Sequence, residues 1–208
     1  MATFSVAAED YDADALLDCS GGPEWELVPQ RAALLVHDMQ PYYLNVLDDS
    51  VRSKVFAAAS EVVAWARSSG VPILASAPRA ASDVAQRGLL GPMWGLGPNA
   101  EEVAITEPDF APIAKRSYSA FYATDLEVEL RRRGRDQLII VGVFASAGIL
   151  ATTFDASARD IECFVGVEAI ADYTAHQHRT ALKLIASLTG RVASIQNLLP
   201  DPRGGPLD

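Results

Sequence analysis

The tightest constraint in this chain is a short apolar run that stops at an acid: Leu34-Leu35-Val36-His37-Asp38-Met39-Gln40. A run this short, bounded by polar residues, reads as a strand buried on both faces of a parallel sheet. Gln137 to Phe144 has the same character, and Pro72–Ser76, Ile161–Ile170 and residues 191–199 add further strands. Helical spacing fills the gaps. Ser53 to Ser69 is rich in Ala and Val and ends at Gly70, a C-cap signal. Residues 124–134 form a helix, with Thr124 and Glu127 as capping box and Gly134 as its end. Gly148–Arg159 is a third helix, and Thr174 with Gln177 caps a fourth over 175–189. Strands alternating with helices predict an α/β domain with a mostly parallel sheet covered on both faces.

A chain of 208 residues supports one full core. Residues 1–30, with scattered acids and Gly21-Gly22-Pro23, read as an arm packed on a domain spanning 31–200, and 201–208 as a flexible tail. Residues 77–112 hold five prolines and read as a long irregular connection; such loops are often functional. The net charge of −10 argues against a nucleic-acid partner, because phosphate binding needs a basic face. Arg131 to Arg133 are read as cations closing a helix C-terminus. The N-terminus lacks a basic segment followed by an apolar core, and no apolar run approaches the roughly 20 residues of a membrane span. With no CxxC pair, the expected location is cytoplasmic.

Four groups of residues are candidates for chemistry. Asp38 ends the first strand, where α/β sheets bind ligands. A carboxyl in an apolar cleft becomes a general acid at neutral pH; an ordinary loop-capping Asp is the alternative. Lys115 lies in a partly apolar stretch and suits pairing with a carboxylate of protein or substrate. Arg87 offers a bidentate grip on a carboxylate, and nearby Trp94 an apolar wall. The turn Phe144-Ala145-Ser146-Ala147-Gly148 follows a strong strand and opens a helix, a layout that exposes a nucleophile or builds an anion site. A triad of Ser146, Asp172 and His176 or His178 is an alternative there, although Phe144 stands where a nucleophile elbow has glycine. The three histidines make no zinc pattern, so no metal is expected.

Six segments in order resemble the isochorismatase-like cysteine-hydrolase superfamily. They are Leu35 to Gln40, Gln86 to Leu90, Met93-Trp94-Gly95, Lys115 with Tyr118-Ser119-Ala120-Phe121, Gly134 to Leu138, and Ala169 to Tyr173. More narrowly the chain is similar to isochorismatases and the 2-amino-2-deoxyisochorismate hydrolases of phenazine-type biosynthesis. The resemblance runs from about Arg31 to Ser194. It implies a Rossmann-like three-layer α/β/α fold with about six strands. It also implies hydrolysis of an enolpyruvyl ether to pyruvate, with Asp38 as acid and Lys115 beside it. Arg87, Trp94 and Tyr118 would hold the substrate. The superfamily's nucleophilic cysteine falls on Gly148, which cannot form a covalent intermediate. No cofactor is implied, and a homodimer is. Two segments depart from the family. Ser76-Ala77-Pro78-Arg79 puts Pro78 where relatives carry a substrate-reading Gln, and Phe144-Ala145-Ser146 replaces Tyr-Ala-His. These changes leave open a different substrate or reaction on a cyclic carboxylate, or a non-catalytic member. A stand-alone hydrolase without a carrier-protein domain after residue 208 is the expected organisation.

Overall fold

The computed structural model describes residues 7–98, 103–105 and 112–200. The expected tail and part of the 77–112 connection lie outside these. Six strands form one parallel sheet: β1 (Ala32–His37), β2 (Ile73–Pro78), β3 (Ile113–Lys115), β4 (Gln137–Val143), β5 (Glu162–Ala171) and β6 (Gly190–Ala193). Their order is β3-β2-β1-β4-β5-β6, and every pairing is parallel. The helices are α1 (Pro41–Leu44), α2 (Asp49–Ser68), α3 (Gly91–Trp94), α4 (Leu126–Arg132), α5 (Leu150–Ser157), α6 (Ala175–Leu188) and α7 (Ile195–Leu198).

The alternation of side chains along a strand divides the core in two. Leu34, Val36, Ile139 and Val141 face one side, where α2 supplies Val55, Val62 and Val63 and α7 supplies Leu198. Leu35, Leu138 and Ile140 face the other, against Leu126 and Leu130 of α4 and Leu182 and Ile185 of α6. This is the expected three-layer α/β/α arrangement. Before β1, a 3-10 turn at Ala13–Cys19 packs its Leu16 into the second core, and Gly21 bridges Val192.

Some element boundaries differ from expectation, each for a local reason. The Asp48 carboxylate accepts from the Ser50 amide at 2.8 Å, so α2 starts four residues before Ser53. At α4 only the Thr124 half of the expected capping box forms. The Thr124 hydroxyl donates to the Ala120 carbonyl and its oxygen accepts from the Leu126 amide at 3.3 Å, while Asp125 makes no side-chain cap and Glu127 turns to Arg159 at 3.0 Å. Arg131 and Arg132 lie in the last turn with Arg133 at the C-cap, as expected, and Arg131 and Arg133 also pair with Glu127 and Glu129 along the helix. The last strand stops at Ala193 because Ser194 caps α7, accepting from Asn197. The strand β3, three residues long, is too short for its periodicity to show.

The order of strands reverses between β1 and β4, the place where such sheets bind ligands. At that crevice Gly142 has φ +122°, and a Cβ there would lie 2.1 Å from the His37 carbonyl oxygen. Gly142→Ala is therefore expected to cost on the order of 3 kcal/mol, lowering Tm by roughly 6–12 °C. A thermal melt of the variant checks this, and an unchanged Tm would refute the close approach.

Candidate active site

Four strand ends build the site. The carboxyl end of β1 delivers Asp38, whose φ of +51° is a left-handed conformation that Asp tolerates better than most residues. Beside it β2 ends in Pro78, aligned with Lys115 at the end of β3. On the other side of β1, β4 runs into a π-helical turn, Ala145–Ile149, that carries Gly148.

The Lys115 ammonium is buried, its side chain only 1% exposed, and lies 2.7 Å from Asp38 Oδ2. It also donates to the Tyr118 carbonyl at 2.6 Å and stands 3.2 Å from His37 Nε2. The other carboxyl oxygen, Asp38 Oδ1, accepts from the Ser76 hydroxyl at 2.7 Å. Burial pulls the Lys115 pKa down, against the upward pull of Asp38. His37 is fully buried, and burial pushes its pKa down to about 4, so the ring is neutral at pH 7. Its Nδ1 lies 2.9 Å from the Val143 carbonyl, which accepts only. The proton therefore sits on Nδ1, and Nε2 presents a lone pair to Lys115. The 3.6 Å approach of Nδ1 to Asp38 is consequently not an ion pair.

A cleft of about 400 Å³ opens onto this cluster. Asp38, Lys115, Pro78, Arg87, Trp94, Tyr118, Phe144 and Gly148 all line it. The aromatic wall is a stack. Trp94 lies against Phe144 with centroids 5.4 Å apart, and Phe144 against Tyr173 at 4.5 Å. The Trp94 indole N–H donates to the Tyr118 hydroxyl at 3.4 Å. Arg87 Nη1 is braced by the carbonyls of Arg79 and Leu96. Asp38 and Lys115 thus share one proton-bearing contact at the floor, with arginine at the rim and rings along the wall. Among the described residues, no cluster of three or more His, Cys, Asp or Glu is placed to hold a metal.

Ser146 is the exception among the expected site residues, for it does not line the cleft. Its amide donates to Asp172 Oδ2 at 2.6 Å, which ties the turn down from behind. The triad alternative fails with it. His178 is buried against the Tyr11 hydroxyl at 3.1 Å, and His176 is exposed. No hydrogen bond joins Ser146 to a histidine among the described residues. Sequence reasoning missed Tyr43, Leu90, Arg116, Ser117 and Ala147 on the lining, and Ser76 and His37 around the acid. A polar residue inside an apolar strand was the available signal for His37.

The family signature described as "Isochorismatase domain" matches residues 32–197, and the chain belongs to that family. It is 39% identical over 183 residues to a probable isochorismatase of Pseudomonas chlororaphis, covering 85% of this chain and 88% of that protein. It is 40% identical over 183 residues to phenazine biosynthesis protein PhzD1 of Pseudomonas aeruginosa, covering 84% and 88%. Enterobactin synthase component B of Escherichia coli is 36% identical over 189 residues, covering 86% of this chain and 66% of the relative. A cysteine hydrolase structure from Pseudomonas syringae pv. phaseolicola superposes with a TM-score of 0.72 at 22% identity, covering 85% of this chain and 94% of that one, a likeness of fold.

His37 and His178 are both buried neutral, with pKa values pushed down to about 4 and about 3. An unfolded histidine binds its proton near 6.5, so between pH 6.5 and about 4 the unfolded state holds more protons. Stability is therefore present above pH 6.5 and is lost as the pH falls through that window. The loss is at most about 1.4 kcal/mol per pH unit for each histidine. Melts in a buffer series from pH 7.5 to 4.5 are expected to show Tm falling steadily; a flat Tm would contradict the buried neutral histidines.

Proposed function

We propose that the protein hydrolyses the enolpyruvyl (vinyl) ether of isochorismate or 2-amino-2-deoxyisochorismate, releasing pyruvate, in secondary-metabolite biosynthesis. The observation that carries this reading is the buried Asp38–Lys115 contact of 2.7 Å at the floor of a ring-walled, arginine-rimmed cleft. The relatives' names supply the substrate class.

The proton needed for the chemistry resides in that pair. Burial disfavours the Lys115 ammonium and brings the neutral amine–carboxylic acid pair closer in energy to the ion pair. As the acid, Asp38 gives its proton to the terminal methylene of the vinyl ether. The C=C electron pair forms the new C–H bond and leaves an oxocarbenium, which water attacks. The surplus proton of that water returns to Asp38 and Lys115. The hemiketal then collapses: its C–O bond to the ring breaks, the ring oxygen takes the hydroxyl proton, and pyruvate leaves beside a cyclohexadiene alcohol. Arg87 and Arg116 on the lining suit the substrate carboxylates, and Trp94 and Phe144 its ring.

The mechanism uses no cysteine nucleophile. Cys163 is fully buried on β5, where burial pushes its thiol up to about 12, and Cys19 lies in the N-terminal 3-10 turn. Neither lines the cleft. The reading also takes the enzyme to be a cytoplasmic homodimer, as the family resemblance implies; light scattering is the check on the dimer.

A second reading keeps the chemistry and changes the substrate. Of the three departures from the family pattern, Pro78 and Phe144 line the cleft and so meet whatever binds there, whereas Ser146 does not. Incubation with each of the two substrates, with pyruvate read by a coupled lactate dehydrogenase assay, separates the readings. Pyruvate release that falls 10²–10⁴-fold in Asp38→Ala is expected. No pyruvate from either substrate would sink the first reading. A rise in Tm with another cyclic carboxylate would then support the second.

A further inference from the structure

An imidazole inside the sheet, touching the lysine and facing a glycine, has no part in the steps above. A Cβ built at Gly148 would lie 2.3 Å from His37 Cε1, closer than Cβ atoms come to any neighbour, and 3.0 Å from His37 Nε2, a tight approach. The third neighbour, the Tyr118 carbonyl at 3.2 Å, would be tight but not prohibitive. The His37 ring therefore fills the volume that any residue larger than glycine would need first. A cysteine at position 148 starts with that same Cβ.

We propose that His37 and Gly148 are a matched pair that sets the reaction type: the imidazole closes position 148 to a nucleophile and holds Lys115 against Asp38. The pairing rests on the vinyl-ether reading only for the name of the reaction. His37 is a positioning residue acting through Lys115. Its Nδ1–H is committed to Val143, so Nε2 can only accept. The Lys115 ammonium has three N–H donors and three acceptors: Asp38, the Tyr118 carbonyl and His37 Nε2. As a neutral amine it keeps the last two as acceptors and turns its lone pair to the Asp38 proton. The same two contacts thus hold Lys115 in both protonation states. The titratable groups facing His37 are Asp38 and Lys115.

Two measurements that need no substrate test this. The first is a double-mutant cycle in Tm. Gly148→Ala in the native background is expected to lower Tm by more than about 5 °C. In His37→Ala the same change is expected to cost less than about 2 °C. Equal losses in both backgrounds would overturn the pairing. The second is the titration of Lys115, read from its 13Cε NMR shift in the native protein, His37→Ala and His37→Gln. Gln retains an acceptor near the Nε2 position, so its curve should follow the native one. Ala removes a hydrogen bond to a buried cation and should move the titration down by about one to two pH units. A native-like curve in Ala, or a Gln curve that follows Ala, would reduce His37 to a filler and overturn its positioning role. Should His37→Ala not fold, His37→Gln with Gly148→Ala repeats the cycle in a shape that frees the Cε1 position. Absence of pyruvate with intact coupling would defeat the vinyl-ether reading and leave the pairing standing.

Discussion

The 2.7 Å contact between Lys115 and Asp38 organises this molecule's working end. Two opposite charges withdrawn from water are costly unless every remaining donor and acceptor is met. The fold meets them with groups from several elements: Ser76 from β2, the Tyr118 carbonyl from the segment after β3, and His37 from β1. His37 in turn is fixed by the Val143 carbonyl of β4. The strand order places all of these at one sheet end, because β1 lies between β2 and β4 and β3 lies beside β2. The topology and the electrostatics of the site are one constraint.

The cleft around that contact divides its tasks. Its floor holds the Lys115–Asp38 pair, and its wall is a stack of Trp94, Phe144 and Tyr173. The rim carries Arg87, held ready by carbonyls. The chain as a whole is strongly acidic, yet the cleft lining contains Arg87, Lys115 and Arg116 against the single carboxylate of Asp38. Low-dielectric walls focus such a local positive field on an anion even when the net charge has the opposite sign.

Much of this was legible in the sequence, for physical reasons. Strands buried on both faces write themselves as apolar runs, so β1, β4 and β5 were visible. Asp38 stood out because it ends such a run where α/β sheets bind ligands, although a loop-capping Asp reads the same in sequence. Lys115, Arg87 and Trp94 stood out by residue type and surroundings rather than by periodicity, with the resemblance adding their roles, and Tyr118 rested on the resemblance alone. The short β3 was invisible as a strand, since three residues carry no period, and with it the reason Lys115 points inward. Capping signals gave mixed results: Thr174 caps α6, accepting from Gln177, and Thr124 accepts from Leu126, but Glu127 leaves its capping box for Arg159. Ser146 looked exposed from its turn, but Asp172, distant in sequence, draws it away. The fit of His37 to Gly148 depends on a tertiary approach that sequence spacing does not encode.

The central claim is that a proton from the buried pair reaches carbon and the ring oxygen stays with the ring. Turnover of isochorismate in D2O, and separately in H2 18O, tests it most directly by mass spectrometry of both products. The account predicts one solvent deuterium in the pyruvate methyl group and no 18O in the ring alcohol. 18O in the ring hydroxyl would mean that cleavage occurs at the ring carbon, releasing enolpyruvate that takes up solvent deuterium just the same, and would contradict it.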